Sequence, residues 1–338
     1  MTKLIRILSI DGGGIRGILP AQILVALEKT LQTKTGNEDA RIADYFDLVA
    51  GTSTGGVLAC VFLCPEGETS RPRFSALEAV GLYFDHGAEI FHLPVFHRFR
   101  TAGGLSDEKY PSDGLENVLR DYLRDLRLSD LIKPCLITAY DIRRRQTVFF
   151  TQHAAKERKA KDFFLVDVAR AATAAPTFFE PPKIASGAEV EYPLVDGAVF
   201  ANNPSLCAYA EAHKHFAAGA NEMAILSLGT GIAHQPYHWK EAKDWGAVGW
   251  VKPLFDIMMT GSSEVTDFCC RQAFEAVGKP EHYLRVNADL THLPPGVTAD
   301  MDDASETNLR GLRELATETA QKAAPDLDRF ADLLIAAE

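Results

Sequence analysis

Twice near its N-terminus the chain passes from a short apolar run, through glycines, directly into helical spacing. Residues 4–10 are apolar and branched, Gly12-Gly13-Gly14-Ile15-Arg16-Gly17 follows at once, and Ile23, Leu27 and Leu31 then recur on one helical face, with Pro20 tolerated in a first turn. The second unit reads as a strand over residues 45–50, a turn at Ser53, and a helix over 57–63 that stops before Pro65. Strand and helix alternating in this way predict an α/β fold with a mainly parallel sheet covered by helices. Further strands are predicted at 135–140, 147–151, 191–195 and 224–228, with helices at 77–90 and 115–126.

The C-terminal part reads as helical. Leu309, Leu312 and Leu315 share a face after Ser305, and Phe330, Leu333 and Leu334 mark a last helix beyond Pro325. There is no repeat and no low-complexity linker, so one domain over 1–338 is expected, with its core at about 4–231 and a helical end at about 305–338. The boundaries are loosest around 65–110 and 231–262.

Of the 338 residues, 35 are Lys or Arg and 46 are Asp or Glu, for a net charge of −11. A chain this acidic is a poor unspecific partner for a nucleic acid polymer. The six cysteines, with no export-type leader at Met1, read as buried thiols rather than a disulfide frame, and imply a cytoplasmic protein. The uncharged window 48–65 is too rich in glycine and hydroxyl residues for a transmembrane span. No metal or cofactor site is predicted.

Gly51-Thr52-Ser53-Thr54-Gly55 fits G-x-S-x-G between a predicted strand and a predicted helix. There the glycines permit a sharp turn, and Ser53 stands at a helix N-terminus that favours a developing negative charge. The plainer alternative is a glycine-rich turn in the core. The loop Gly12 to Gly17 satisfies G-x-G-x-x-G, but residues 29–38 supply no acidic residue ending a second strand, which weakens a dinucleotide reading. Consecutive glycine amides suit an oxyanion as well as a phosphate. Arg16 either orients that loop or is merely exposed. Asp196-Gly197 ends an apolar strand, where it is either a simple turn or a carboxylate reaching into a cleft as a base, more basic if partly buried.

Together these residues resemble the patatin-like phospholipases. Asp11-Gly12-Gly13-Gly14-Ile15-Arg16-Gly17 is similar to the family's oxyanion loop, Gly51 to Gly56 to its nucleophile turn, and Asp196-Gly197-Ala198 to its aspartate motif. Residues 169–179, Ala201-Asn202-Asn203-Pro204, 226–231 and Met301-Asp302-Asp303-Ala304-Ser305 continue the resemblance in order. It implies a three-layer α/β/α fold and hydrolysis of acyl esters of membrane phospholipids by a serine–aspartate dyad. Ser53 is then the nucleophile, Asp196 the base, and Gly12, Gly13 and Gly14 the oxyanion donors, with Asp11, Arg16, Gly17, Gly51, Gly55 and Gly197 as supporting positions. The resemblance also brings transient contact with the inner face of the membrane, oligomer formation, and an antiphage role switched on by a cyclic nucleotide, as in some bacterial members.

Two rivals remain on sequence. A Ser-His-Asp esterase would draw on His213, His215, His234 or His238, none within a motif. A sugar-kinase-like nucleotide binder would use the Asp11 glycine loop and Gly229-Thr230-Gly231 on phosphates and leave Ser53 idle. Three further segments are ambiguous. Residues 91–100 suit an acyl entrance, a bilayer or partner surface, or an irregular core segment. Residues 245–250 with Phe255, Ile257, Met258 and Met259 suit an acyl groove or, preferably, core. Arg143-Arg144-Arg145 reads as a solvated hairpin tip rather than a phosphate site.

Overall fold

A computed structural model describes residues 3–92 and 109–337. Its centre is an eight-stranded sheet: β1 (Ile5–Ile10), β2 (Leu48–Thr52), β3 (Cys135–Asp141), β4 (Gln146–Thr151), β5 (Lys183–Ala185), β6 (Glu191–Asp196), β7 (Met223–Leu228) and β8 (Tyr283–Val286). The order is β5-β6-β3-β2-β1-β7-β8, with β4 on the remaining edge of β3. Pairings among β3, β2, β1, β7 and β8 are parallel, whereas β4, β5 and β6 join antiparallel.

Alternation along the strands divides the apolar side chains between two helical layers. On β1, Leu8 and Ile10 join the larger core while Ile5 and Ile7 join a smaller core on the opposite face, and β7 splits the same way. Helices α1 (Ile18–Thr35), α2 (Thr54–Leu63), α3 (Ala76–Ile90), α4 (Asp113–Leu123) and α5 (Leu165–Ala172) pack on the first face. So do the two C-terminal helices, α8 (Glu306–Lys322) and α9 (Ala324–Ala336). Helices α6 (Ser205–Phe216) and α7 (Ala247–Ala276) cover the second. The three-layer α/β/α expectation holds.

Most predicted elements stand within a few residues of their places, and the departures have local causes. β2 starts at Leu48, because residues 42–44 form a short 3-10 turn whose Asp44 carboxylate takes the Arg41 amide (2.7 Å). α4 stops at Leu123 because Arg124 has φ 51°. α7 was expected as no single element. It runs for 30 residues with Pro253 near its start, and most of its apolar residues face outward rather than into the core. Phe255 and Met259 alone among the named ones turn toward the interior, so the core reading of this run is corrected. Arg143 and Arg145 lie exposed in the β3–β4 turn, with Arg144 paired to Asp141 at 2.7 Å, as a hairpin tip requires. All six cysteines are unpaired. Of residues 91–100, those from 93 onward lie outside the described residues.

Candidate active site

The register of β3 explains how two side chains far apart in sequence meet. β4 occupies one edge of β3 over residues 136–141. A strand has only two edges, so β2 and β6 share the other. β2 arrives parallel and ends with Thr52 opposite Thr138, while β6 arrives antiparallel and ends with Asp196 opposite Ala139. The two strands therefore point their C-terminal ends at each other across adjacent residues of β3, and Ser53 and Asp196 both line one cleft. Thr52 locks the junction: its hydroxyl lies 2.8 Å from that of Thr138 and donates to the Ala201 carbonyl at 2.6 Å.

Ser53 holds φ 55° and ψ −124°, a conformation costly for any residue with a Cβ, and caps α2 with little exposure. Gly51 and Gly55 make the turn possible by close approach. A Cβ on Gly55 would strike the Ile10 carbonyl, and one on Gly51 would strike the Gly55 carbonyl. Gly197 lies against the Thr138 side chain in the same manner.

Asp196 is buried, and burial raises its pKa to about 7 despite the Ser53 hydroxyl and the Ala198 amide (2.8 Å), both of which favour the charged form. A carboxylate of that basicity is a far better proton acceptor near neutrality than a solvated aspartate.

The glycine loop crosses above this pair, and its three amides are not equivalent. That of Gly12 donates to the Asn202 carbonyl at 3.1 Å, so Gly12 is not available as an oxyanion donor and that expectation is revised. Gly13 and Gly14 line the cleft, and their amides have no acceptor among the described residues. Gly14 has φ 58°, and a Cβ there would run into the Met301 carbonyl, which itself accepts the Ile15 amide at 2.8 Å. The 301–305 segment thus braces the loop, with Asp302 taking hydrogen bonds from Lys109 and from Tyr110 (2.9 Å).

Arg16 is half-buried and reaches back to the Gly13 carbonyl at 3.4 Å, which favours the orienting role; burial lowers its pKa to about 10. Gly17 sits against the Tyr83 and Thr54 hydroxyls, which are 2.6 Å apart.

Asp11 is committed elsewhere. Arg285, on the short strand β8, grips it through Nη1 at 2.8 Å and Nη2 at 2.5 Å, and Nη1 also reaches Ser227 at 2.8 Å. No motif announced Arg285; its signal is only a buried carboxylate in need of a partner. The Thr230 hydroxyl donates to the Gly12 carbonyl at 2.6 Å, and the Gly229 and Gly231 amides are taken by Val286 and Asn287. Of the groups a phosphate-binding reading needs, these are already paired, which leaves only the Gly13 and Gly14 amides beside Ser53. Nor does any histidine line the cleft among the described residues: His213 turns to the Ala218 carbonyl (2.7 Å), His215 stacks on His153, and His234 and His238 are exposed.

Beyond the polar end, the cleft is apolar. Val57, Leu82, Leu119, Phe178, Phe255 and Met259 are among its walls. Phe91, from the ambiguous aromatic–basic segment, also lines it.

Comparison with known sequences gives one consistent picture. The family described as patatin-like phospholipase matches residues 8–208. "Patatin-like protein 2" of indica rice is 37% identical over 92% of this chain and 82% of its own length. "Patatin-T5" of potato is 35% identical over 98% of this chain and 90% of its own. "Probable inactive patatin-3-Kuras 1", also of potato, is 34% identical over 98% and 93%. That last relative makes the roles of individual side chains a matter for this chain's own geometry.

Proposed function

Because this chain belongs to the patatin-like phospholipase family and is a lipid acyl hydrolase, we propose that it opens fatty-acyl esters of membrane phospholipids through Ser53 and Asp196. The observation that carries this is the convergence of β2 and β6 on one edge of β3, with both side chains in an apolar cleft. Asp196, ionised, takes the Ser53 proton as Oγ attacks the ester carbonyl. The oxyanion that forms is held by the Gly13 and Gly14 amides near the N-terminus of α2. Asp196 then protonates the departing lysolipid oxygen, leaving an acyl-serine. Water, deprotonated by the same carboxylate, attacks the acyl carbon, and the fatty acid leaves as Ser53 recovers its proton.

The apolar walls take the acyl chain, and the ester reaches Ser53 at their polar end. No helix among the described residues is long and apolar enough to cross a membrane. In this proposal the enzyme meets its substrate by transient, peripheral contact at the inner leaflet. Ser53→Ala and Asp196→Asn, incubated with bacterial lipid extract and followed by mass spectrometry, should each release no lysolipid or fatty acid. Full release by either variant removes the dyad.

Regulation by a cyclic nucleotide, in an oligomer acting against phage, completes the proposal and rests on resemblance to certain bacterial members alone. Phospholipase assays with a panel of cyclic di- and trinucleotides test it, and full activity without any of them sinks it.

A further inference from the structure

The long helix α7 serves two surfaces at once. Its inner side sends Phe255 and Met259 into the acyl cleft, and its Ser263 hydroxyl accepts a 3.1 Å hydrogen bond from Asn202, the residue whose carbonyl fixes Gly12. Its outer side carries Trp250, Leu254, Ile257, Met258, Val265 and Phe268, each at least 40% exposed. At 100° per residue these six fall within one arc of about 100°, a stripe running five turns. The helix's acidic residues over the same length, Asp256, Glu264 and Asp267, lie outside that arc. Asp256 accepts from the Tyr237 hydroxyl (2.8 Å) and Asp267 from that of Tyr283 (2.9 Å). On a chain of net charge −11, an uncharged apolar stripe of this length is the exception, and its neighbours are already occupied.

We propose that this outer face of α7 is the docking surface for a zwitterionic lipid layer, rather than for a second copy of the chain. Two observations select that occupant. One helix carries both the stripe and two walls of the cleft that takes the acyl chain, Phe255 and Met259, so a lipid layer pressed against the stripe lies one helix away from that cleft. Its lack of charge lets it meet the zwitterionic lipids of the inner leaflet by apolar contact alone, without the attraction to anionic headgroups that a chain of net charge −11 lacks. Trp250 is an aromatic of the kind that settles at the headgroup level. The inference rests on the lipid hydrolase reading, but concerns how substrate is reached rather than how it is cleaved.

The test compares wild type with L254Q/I257Q/V265Q/F268Q, four exposed positions changed to a helix-favouring polar residue, on phosphatidylcholine vesicles. Wild type should co-sediment with the vesicles, equally in low and high salt. The variant should partition more than about tenfold less and lose vesicle hydrolysis in proportion, while its turnover of a soluble short-chain ester and its melting temperature stay unchanged. Ser53→Ala should bind vesicles as wild type does, yet cleave neither substrate. Equal vesicle binding by the quadruple variant overturns the docking surface. So does gel filtration showing a wild-type dimer that the variant breaks, since a second copy then covers the stripe. Soluble-ester turnover surviving in Ser53→Ala would instead remove the chemistry and leave the docking result standing.

Discussion

Ser53 and Asp196 sit at the ends of two strands that meet on one edge of β3, and the fold prepares them by different means. Ser53 is held in backbone conformation: φ 55°, a turn closed by glycines against neighbouring carbonyls, and a helix beginning at the next residue. Asp196 follows an ordinary strand into Gly197 at φ −68°, and what is unusual there is solvation, since burial lifts its carboxyl to about 7. In the proposed mechanism, strain aims the nucleophile and desolvation makes the base. The two devices differ in their dependence on pH, which makes them separable.

The largest effect should come from deleting either partner. Ser53→Ala and Asp196→Asn are each expected to lower kcat/KM on acyl esters by about 10,000-fold or more, and the double variant by little beyond that, because the groups act as a unit.

Stability should divide the pair next. The raised pKa means that folded Asp196 binds a proton which the unfolded chain has released, so the contribution of Asp196 to stability falls as pH rises from about 4 to 7 and then levels. Asp196→Asn removes that penalty. Its melting temperature should exceed wild type at pH 8 by the equivalent of up to about 4 kcal/mol, and match it near pH 4. Ser53→Ala keeps the buried carboxyl and should keep the wild-type pH dependence. An Asp196→Asn enzyme no more stable at pH 8 than wild type would mean that desolvation is not what tunes the base.

Gly14→Ala attacks the third part of the site. A Cβ at φ 58° against the Met301 carbonyl should displace the amide proposed to hold the oxyanion and reduce turnover about 100 to 1,000-fold. Gly12→Ala also meets a neighbour, the Asn202 side chain, but its amide is already spent on the Asn202 carbonyl. Activity in wild type should rise about tenfold per pH unit below 7 and flatten above it, as the carboxylate ionises. The smallest change is expected from Tyr83→Phe, which removes a buried hydroxyl 2.6 Å from that of Thr54 and should cost about 1 kcal/mol of stability with a few-fold loss in rate.

Residues with obligatory local geometry were legible in the sequence. A serine between two glycines at a strand–helix junction, and an aspartate ending an apolar strand, are constrained by their own neighbours, and their resemblance to one family multiplied that information. What escaped depends on partners distant in the chain. Gly12 has the same sequence surroundings as Gly13 and Gly14, and only the arrival of the Asn202 carbonyl makes it different. Arg285 stands in a four-residue strand with no pattern of its own, and its role exists only because Asp11 needs a counter-charge. Helix α7 carries Pro253 and two glycines, Gly249 and Gly261, and most of its apolar residues mark an outer face, whereas sequence periodicity is ordinarily read as pointing to a core.

The central claim, that Ser53 is the nucleophile made reactive by Asp196, is tested most directly by labelling with a fluorophosphonate and mapping the adduct by peptide mass spectrometry. In wild type the adduct should form on Ser53 alone, at a rate that rises with pH up to about 7, and Asp196→Asn should label at a small, pH-independent fraction of that rate. Labelling of Asp196→Asn at the wild-type rate, or an adduct on another residue with Ser53 unmodified, would contradict it.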